Sequence, residues 1–153
     1  MTAKDRDVRI EQAYRRLGTR NPKCGRCEET APLMLTGQDP DILCYTCRKE
    51  QQGQPPVEQH HVAGRHNDAF TVPTDPNTHR VLSDAQRDWP ERTLRNPDQS
   101  PLLQAAAAIR GFVDWLLVMV ERCVKWIPPF LESLDARLTV EWGPHWWEVH
   151  DKT

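Results

Sequence analysis

The chain has 153 residues, which is enough for one ordinary domain or two very small ones. Hydrophobic residues make up 38% of it and the formal net charge is −2, so the chain is not a polycation that binds nucleic acid through its overall charge. With 13 prolines and so modest an apolar fraction it can bury only a small core, which a bound metal would help to stabilise.

Neither secretion nor membrane insertion is expected. No apolar stretch follows a charged N-terminus, and the most apolar segment, 102–127, is interrupted by five charged residues. A bilayer span needs about 20 nearly uncharged residues, so no transmembrane span is expected. Five cysteines without a signal peptide favour a reducing compartment, where thiols bind metals more often than they form disulfides. The expected location is the cytoplasm.

The first element is a basic N-terminal helix within residues 1–20. Apolar residues recur at near-helical spacing over 4–17, and Gly18 supplies a stop. Residues 1–26 hold eight Lys/Arg against three acidic residues, a local charge of +5 that would suit phosphate groups, although a solvated helix face has the same composition. The candidate nucleic-acid-binding residues here are Arg15, Arg16, Arg20 and Lys23.

Residues 21–56 contain two pairs of cysteines, Cys24-x-x-Cys27 and Cys44-x-x-Cys47, with sixteen residues between the two pairs. Two intervening residues let one tight turn aim both sulfurs at a single ion, and two such pairs complete a tetrahedral thiolate site. Four thiolates leave no open position, so this pattern predicts a structural Zn²⁺. The fifth cysteine, Cys123, is expected to be a buried small hydrophobe on an apolar helix.

Residues 57–90 predict a hairpin followed by a helix. The segments 57–61 and 70–72 are candidate strands joined by a polar loop, 63–69. Asp75-Pro76 predicts a helix start, since Asp caps free N–H groups and Pro tolerates the first helical position. This helix is expected to run to about Trp89, where Pro90 ends it.

The segment 58–83 also resembles the HNH family of endonucleases, through His60-His61, Asn67 and His79. That family has a ββα-metal fold, in which a hairpin and a helix clamp one divalent cation, and many members carry a zinc module upstream. The resemblance implies that His60 and His79 are ligands of Mg²⁺ or another divalent cation. It implies that His61 is the general base and Asn67 the residue that positions it.

Elementary geometry bears on these assignments. Neighbouring strand residues point to opposite faces, so His60 and His61 share a site only if the strand loses regularity there, as Gly64 and the polar loop permit. Asn77 and His79 would point roughly 200° apart on a helix, so Asn77 is an alternative to His79 as the ligand. Arg65 and Arg80 could hold phosphate oxygens or could be surface charges.

The sequence departs from the familiar HNH pattern at three points. Asn77-Thr78 precede His79 where a cysteine pair is usual, His-His replaces Asp-His, and Asn67 comes only six residues after His61. The third protein contact of the metal and the residue that orients His61 are therefore left open by the sequence.

Residues 91–101 are expected to be a linker, and 102–153 a helical region with a Trp-rich tail. A long helix over 102–127 would end at Pro128-Pro129, followed by one more short helix. One face of the long helix carries an apolar stripe, Leu102, Ala106, Ile109, Val113, Leu116, Val120 and Ile127. Such a surface packs on the zinc module, joins copies of the chain in a homo-oligomer, or lies on a membrane.

The sequence thus predicts an α+β chain made of a zinc knuckle, a ββα-metal core and a long C-terminal helix. The expected function is a metal-dependent endonuclease acting on DNA, in a bacterial or phage setting. The alternative is a catalytically degenerate HNH and zinc-knuckle module that binds nucleic acid or protein and assembles through its C-terminal helix.

Overall fold

A computed structural model describes residues 3–151 and shows a mixed α+β chain that is mostly helical, with two small two-stranded sheets. The chain divides into two units, Met1–Val118 and Met119–Thr153. The first unit contains every strand of the described residues.

The N-terminal helix α1, Ala3–Leu17, ends at Gly18, whose φ of +76° is costly for residues with a Cβ. A 3₁₀ turn, Pro32–Met34, leads into β1, Leu35–Thr36, which pairs antiparallel with β2, Leu43–Cys44. Helix α2, Tyr45–Gln51, follows directly. The core of this half of the unit consists of Leu17, Leu35, Ile42 and three of the cysteines, Cys24, Cys44 and Cys47.

A second hairpin and a helix follow, as the sequence predicts. Strand β3, Glu58–His61, pairs antiparallel with β4, Thr71–Thr74, so that His60 lies opposite Val72. Helix α3, Pro76–Gln86, begins at Asp75, whose carboxylate accepts hydrogen bonds from the N–H groups of Asn77 and Thr78. The predicted Asp-Pro helix start is confirmed, while the helix ends three residues before the predicted Trp89.

The segment 91–101 differs from the linker predicted by sequence. It contains a short helix, α4, Glu91–Arg95, which ends at Asn96 in a left-handed conformation. Leu94 packs against a small core of Ala63, Trp89 and Ala107. A five-residue helix has too little length for a periodic pattern, and it is this long-range packing that accounts for its place in the fold.

Helix α5, Pro101–Met119, lies against the second hairpin through one face. A Cβ on Gly111 would sit 1.8 Å from the carbonyl oxygen of Val62, so only glycine allows this approach. The indole N–H of Trp89 donates to Asp114 Oδ2 over 2.8 Å. These contacts join α5 to the rest of the first unit.

The second unit is helical. A π-helical segment, Val120–Val124, precedes α6, Ile127–Trp142, and a 3₁₀ segment, Trp146–Asp151, follows. Cys123 is exposed on the π-helical segment, so its predicted burial is wrong. The sequence predicts that Pro128-Pro129 end the long helix, but α5 already ends at Met119, before the two prolines. They occupy the first turn of α6, where a missing N–H leaves no hydrogen bond unmade. By length and composition alone, the helical stretch Pro101–Trp142 could cross a membrane. The mean hydropathy of its most apolar part is 1.5, and 17% of that part is buried.

Candidate functional site

The four predicted zinc ligands come together in the first unit. The Sγ atoms of Cys24, Cys27, Cys44 and Cys47 all lie within 4.8 Å of one another. Four thiolates at about 2.3 Å from one zinc would lie roughly 3.8 Å apart, so the cluster matches a tetrahedral site. The cluster is consistent with a structural Zn²⁺ site.

Backbone N–H groups surround the sulfurs. The N–H of Cys44 donates to Cys24 Sγ over 3.2 Å, and the N–H of Cys47 donates to Cys44 Sγ over 3.3 Å. Burial raises the pKa of Cys24, but hydrogen bonds from the backbone of Arg26, Cys27 and Cys44 outweigh it and bring the pKa to about 6. Burial raises the pKa of Cys47, so a bound cation is what would hold all four groups as thiolates.

The zinc module contacts the start of α3 through Thr46. Its backbone N–H donates to Asn77 Oδ1 over 3.2 Å, and its hydroxyl donates to Asp75 Oδ1 over 3.4 Å. Asn77, the alternative metal ligand, is therefore buried and engaged with α2. The four-cysteine module positions the helix that carries His79.

His60 and His79 lie side by side. Their ring centroids are 5.3 Å apart and the rings are almost perpendicular. His60 is 3% exposed, and this burial, followed by the charges of His79 and His61, lowers its pKa to about 4. His60 is therefore neutral at pH 7, which is the form of imidazole that binds metals.

Two further residues complete these surroundings, and sequence reasoning missed both. Glu58 Oε2 lies 2.6 Å from His79 Nδ1, and Glu58 also pairs with Lys49. Gln86 Nε2 donates to the carbonyl oxygen of His61 over 2.7 Å and lies 3.3 Å from His60 Nε2. A periodicity argument could have found both, since Glu58 is two residues before His60 on a strand and Gln86 is seven after His79 on a helix.

His61 is the last residue of β3 and still pairs regularly with Thr71, so its side chain leaves the face of the strand opposite to that of His60. The loss of regularity that would bring both rings into one site is not seen. His61 Nδ1 lies 3.3 Å from the carbonyl oxygen of Asp68. If Nδ1 carries the proton and donates to that carbonyl, Nε2 is left as the basic atom. Its own carbonyl accepts hydrogen bonds from Gln86 and from the N–H of Gly64, which fixes the turn after the strand.

Asn67, the residue expected to position His61, is buried in the loop between β3 and β4. Its hydrogen bonds to other described residues go to backbone groups and not to His61. Its amide donates to the carbonyl oxygens of Ala63 and Thr93, over 3.0 and 2.9 Å. It therefore joins the loop after β3 to α4. Its Oδ1 is buried without a hydrogen-bond partner among the described residues.

Burial lowers the pKa of His79, Glu58 opposes this shift, and the positive charges of Arg80 and Arg65 add to it. Both arginines therefore act electrostatically on His79. Arg65 is exposed, and Arg80 lies over the ring of Tyr45, 4.3 Å from its centroid.

The basic residues of the N-terminal region are not equivalent. Arg15 and Arg20 both pair with Glu11, and Lys23 pairs with Glu28 over 2.8 Å. Arg16 instead donates to the carbonyl oxygen of Leu35 and lines a groove between α1 and α3. This α1–α3 groove has a volume of about 300 Å³, and four arginines line it: Arg9, Arg16, Arg80 and Arg87.

Donor atoms converge differently at the two sites. Within residues 3–151, the four cysteines are the only group of three or more His, Cys, Asp or Glu residues whose donor atoms meet closely enough for one ion. At the histidine site, two imidazoles and one carboxylate are neighbours without converging in this way. Comparison with known proteins found no matching family model, no matching curated protein and no matching solved structure.

Proposed function

We propose that this chain is an HNH-type, metal-dependent endonuclease that hydrolyses phosphodiester bonds in DNA. The observation that carries the proposal is the pairing of His60 on β3 with His79 on α3, at ring centroids 5.3 Å apart, with His61 directly following His60 at the strand end. A hairpin and a helix thereby supply two imidazoles in one place, and the strand end supplies a third imidazole on the other face of β3.

The donor set suits a divalent cation with two protein ligands. His60 and His79 would hold the ion, and water and phosphate oxygens would fill its other positions. A bound cation would offset the negative charge that develops on the phosphate and on the leaving oxygen. Glu58 would fix the ring of His79 from the opposite nitrogen, as carboxylates commonly do for metal-bound histidines.

His61 supplies the base. With its Nδ1–H donated to the carbonyl of Asp68, its Nε2 takes a proton from water as the oxygen attacks phosphorus. The P–O bond to the leaving strand breaks, and the leaving oxygen takes a proton from solvent. The hydrogen bonds from Gln86 and Gly64 to the carbonyl of His61 hold the residue in place during this step.

We assign contact with the DNA backbone to the α1–α3 groove. Arg16 and Arg80 offer guanidinium groups there, and Arg80 directly follows His79; Arg87 also lines the groove but lies 4.0 Å from Asp84. Arg15, Arg20 and Lys23 are less suited, because carboxylates of this chain already pair with them. The carboxylate of Asp84 within the groove is paired with Arg9, which limits its repulsion of a phosphate.

The test is a plasmid-nicking assay with Mg²⁺, Mn²⁺ or Ni²⁺. His61→Ala is expected to abolish cleavage, and His79→Ala to abolish or strongly weaken the metal-dependent cleavage, with unchanged circular dichroism and zinc content. His66→Ala, at an exposed histidine in the loop between β3 and β4, is the matched control and is expected to cleave normally. Cleavage by His61→Ala equal to that of the wild type would refute the assignment.

The second candidate is a binding module without catalysis. It is favoured by the absence of a third converging donor at the histidine site in the described residues. DNA binding that survives His61→Ala but weakens in Arg80→Ala, with no cleavage by the wild type under any of the three metals, would establish this alternative.

A further inference from the structure

Helix α5 has two opposite faces with different surroundings. On the inner face, Ala107 and Gly111 are buried and Asp114 is bound to Trp89. The outer face carries large apolar side chains that are exposed on the chain: Leu102, Ile109, Phe112, Val113, Leu116 and Leu117. At 100° per residue, Gly111 lies about 180° from Leu102, so the two faces are on opposite sides of the helix.

The outer face has a heptad spacing. Leu102, Ala106, Ile109, Val113 and Leu116 follow one another at intervals of four, three, four and three residues, and Val120 continues the series in the sequence. In heptad notation, Leu102, Ile109 and Leu116 fall at d positions. Ala106, Val113 and Val120 fall at a positions. Two of the three a residues, Val113 and Val120, are β-branched and two of the three d residues are Leu, a combination that favours two-stranded assemblies, and no a or d position here is charged.

We propose that the outer face of α5 is a two-stranded helix–helix interface with a second copy of this chain. The exposed parts of its six large side chains amount to on the order of 600 Å² of apolar surface. A soluble monomer rarely exposes a larger continuous patch, and a standard interface buries about 800 Å² per partner. The seam formed by these six side chains alone thus supplies most of the area that a stable dimer needs.

A lipid bilayer fits the same face less well. A helix that lies in a membrane surface is usually rich in Lys and Arg on its polar face, whereas α5 contains Arg110 and no lysine. Insertion across the bilayer would have to break the Trp89–Asp114 hydrogen bond and the close contact of Gly111 with Val62. The dimer keeps both contacts, because it uses the opposite face.

The experiment is the solution mass of the full chain, measured by light scattering at micromolar concentration. The wild type is expected at twice the 17.7 kDa chain mass. Ile109→Glu and Leu116→Glu are each expected to raise the dimer dissociation constant on the order of a hundredfold or more, because the seam would bury an unpaired carboxylate. Both side chains are exposed in the single chain, so circular dichroism and zinc content should not change.

The control is Val140→Glu, since Val140 is 90% exposed on α6 and lies outside the seam. This variant is expected to remain dimeric. A monomeric wild type, an assembly larger than two chains, a dimer that persists in both seam variants, or a control that also dissociates would each overturn the proposal. Vesicles of phosphatidylcholine and phosphatidylglycerol provide the remaining comparison: a monomeric wild type that sediments with them would assign the face to lipid. None of these outcomes depends on nuclease activity.

Discussion

The contact of Arg9 with two carboxylates connects α1 to the end of α3, across about 75 residues of sequence. Its guanidinium lies 2.7 and 3.1 Å from the two carboxylate oxygens of Asp84, and 2.8 Å from each of those of Asp88. The side chains of Arg9 and Asp84 are only 14% and 9% exposed. Such a planar, bidentate contact on both sides is among the stronger ion pairs that proteins form.

Arg9→Met keeps most of the aliphatic length of the side chain and removes the charge. The buried carboxylate of Asp84 then keeps only the exposed Arg87, 4.0 Å away, and breaking a buried pair in this way costs about 3 kcal/mol. Arg9→Met combined with Asp84→Asn removes the uncompensated charge as well, so this double variant is expected to recover most of the loss. Recovery would show that the cost comes from desolvated charge and not from a lost packing contact.

The assay is urea unfolding of the zinc-loaded chain, with hydrogen exchange of the α3 amides to report on the first unit. Arg15→Met is the matched control, because the Arg15 side chain is 78% exposed and its pair with Glu11 lies within α1. A loss for Arg9→Met that is no larger than the loss for Arg15→Met would refute the reasoning, as would a double variant less stable than the single one.

Four further predictions follow from the same contacts. The purified chain should carry about one zinc that resists mild chelation, and Cys44→Ser should lose both this metal and the ordered α2 by circular dichroism. Gly111→Ala should destabilise the first unit by about 2 kcal/mol against urea, because its Cβ would meet the backbone of Val62; a gain, as helix propensity alone would give, contradicts the close approach. Burial raises the pKa of Asp114, so the stability that this group contributes is present at acidic pH and lost as pH rises through its folded pKa. Asp114→Asn, which keeps an acceptor for Trp89, should therefore raise the melting temperature at pH 7 and leave it unchanged in acid. Glu58→Gln should weaken divalent-cation binding at the histidine site about 10- to 100-fold by calorimetry without changing zinc content; equal affinity would remove Glu58 from the site.

Several elements were predictable because their signals are local. Two cysteines with two residues between them can bind one ion through a single turn, whatever the rest of the fold does. Asp75-Pro76 carries its own cap and its own first-turn geometry, and the structure begins α3 there. The strands of the second hairpin were placed within two residues of their observed bounds.

Other features have no local signal. The pairing of Glu58 with His79 joins a strand to a helix 21 residues later, and Thr46, on another helix, donates a hydrogen bond to Asn77, the alternative ligand. The basic N-terminal region, residues 1–26, also shows that contacts between distant residues cannot be predicted from composition. Composition gave it a local charge of +5, but Glu11 and Glu28 pair with Arg15, Arg20 and Lys23, while Arg16 reaches the α1–α3 groove.

The sequence by itself determined the four cysteines spaced for one metal ion, the hairpin followed by a capped helix, and the apolar stripe of α5, because residue spacing alone defines each of them. Only the tertiary structure decided which residues surround His60 and His79, which arginines line the groove, and which face of α5 is left exposed. Those outcomes depend on contacts between segments far apart in the chain. The free energy of such contacts comes from burial and charge pairing that no single stretch of sequence contains.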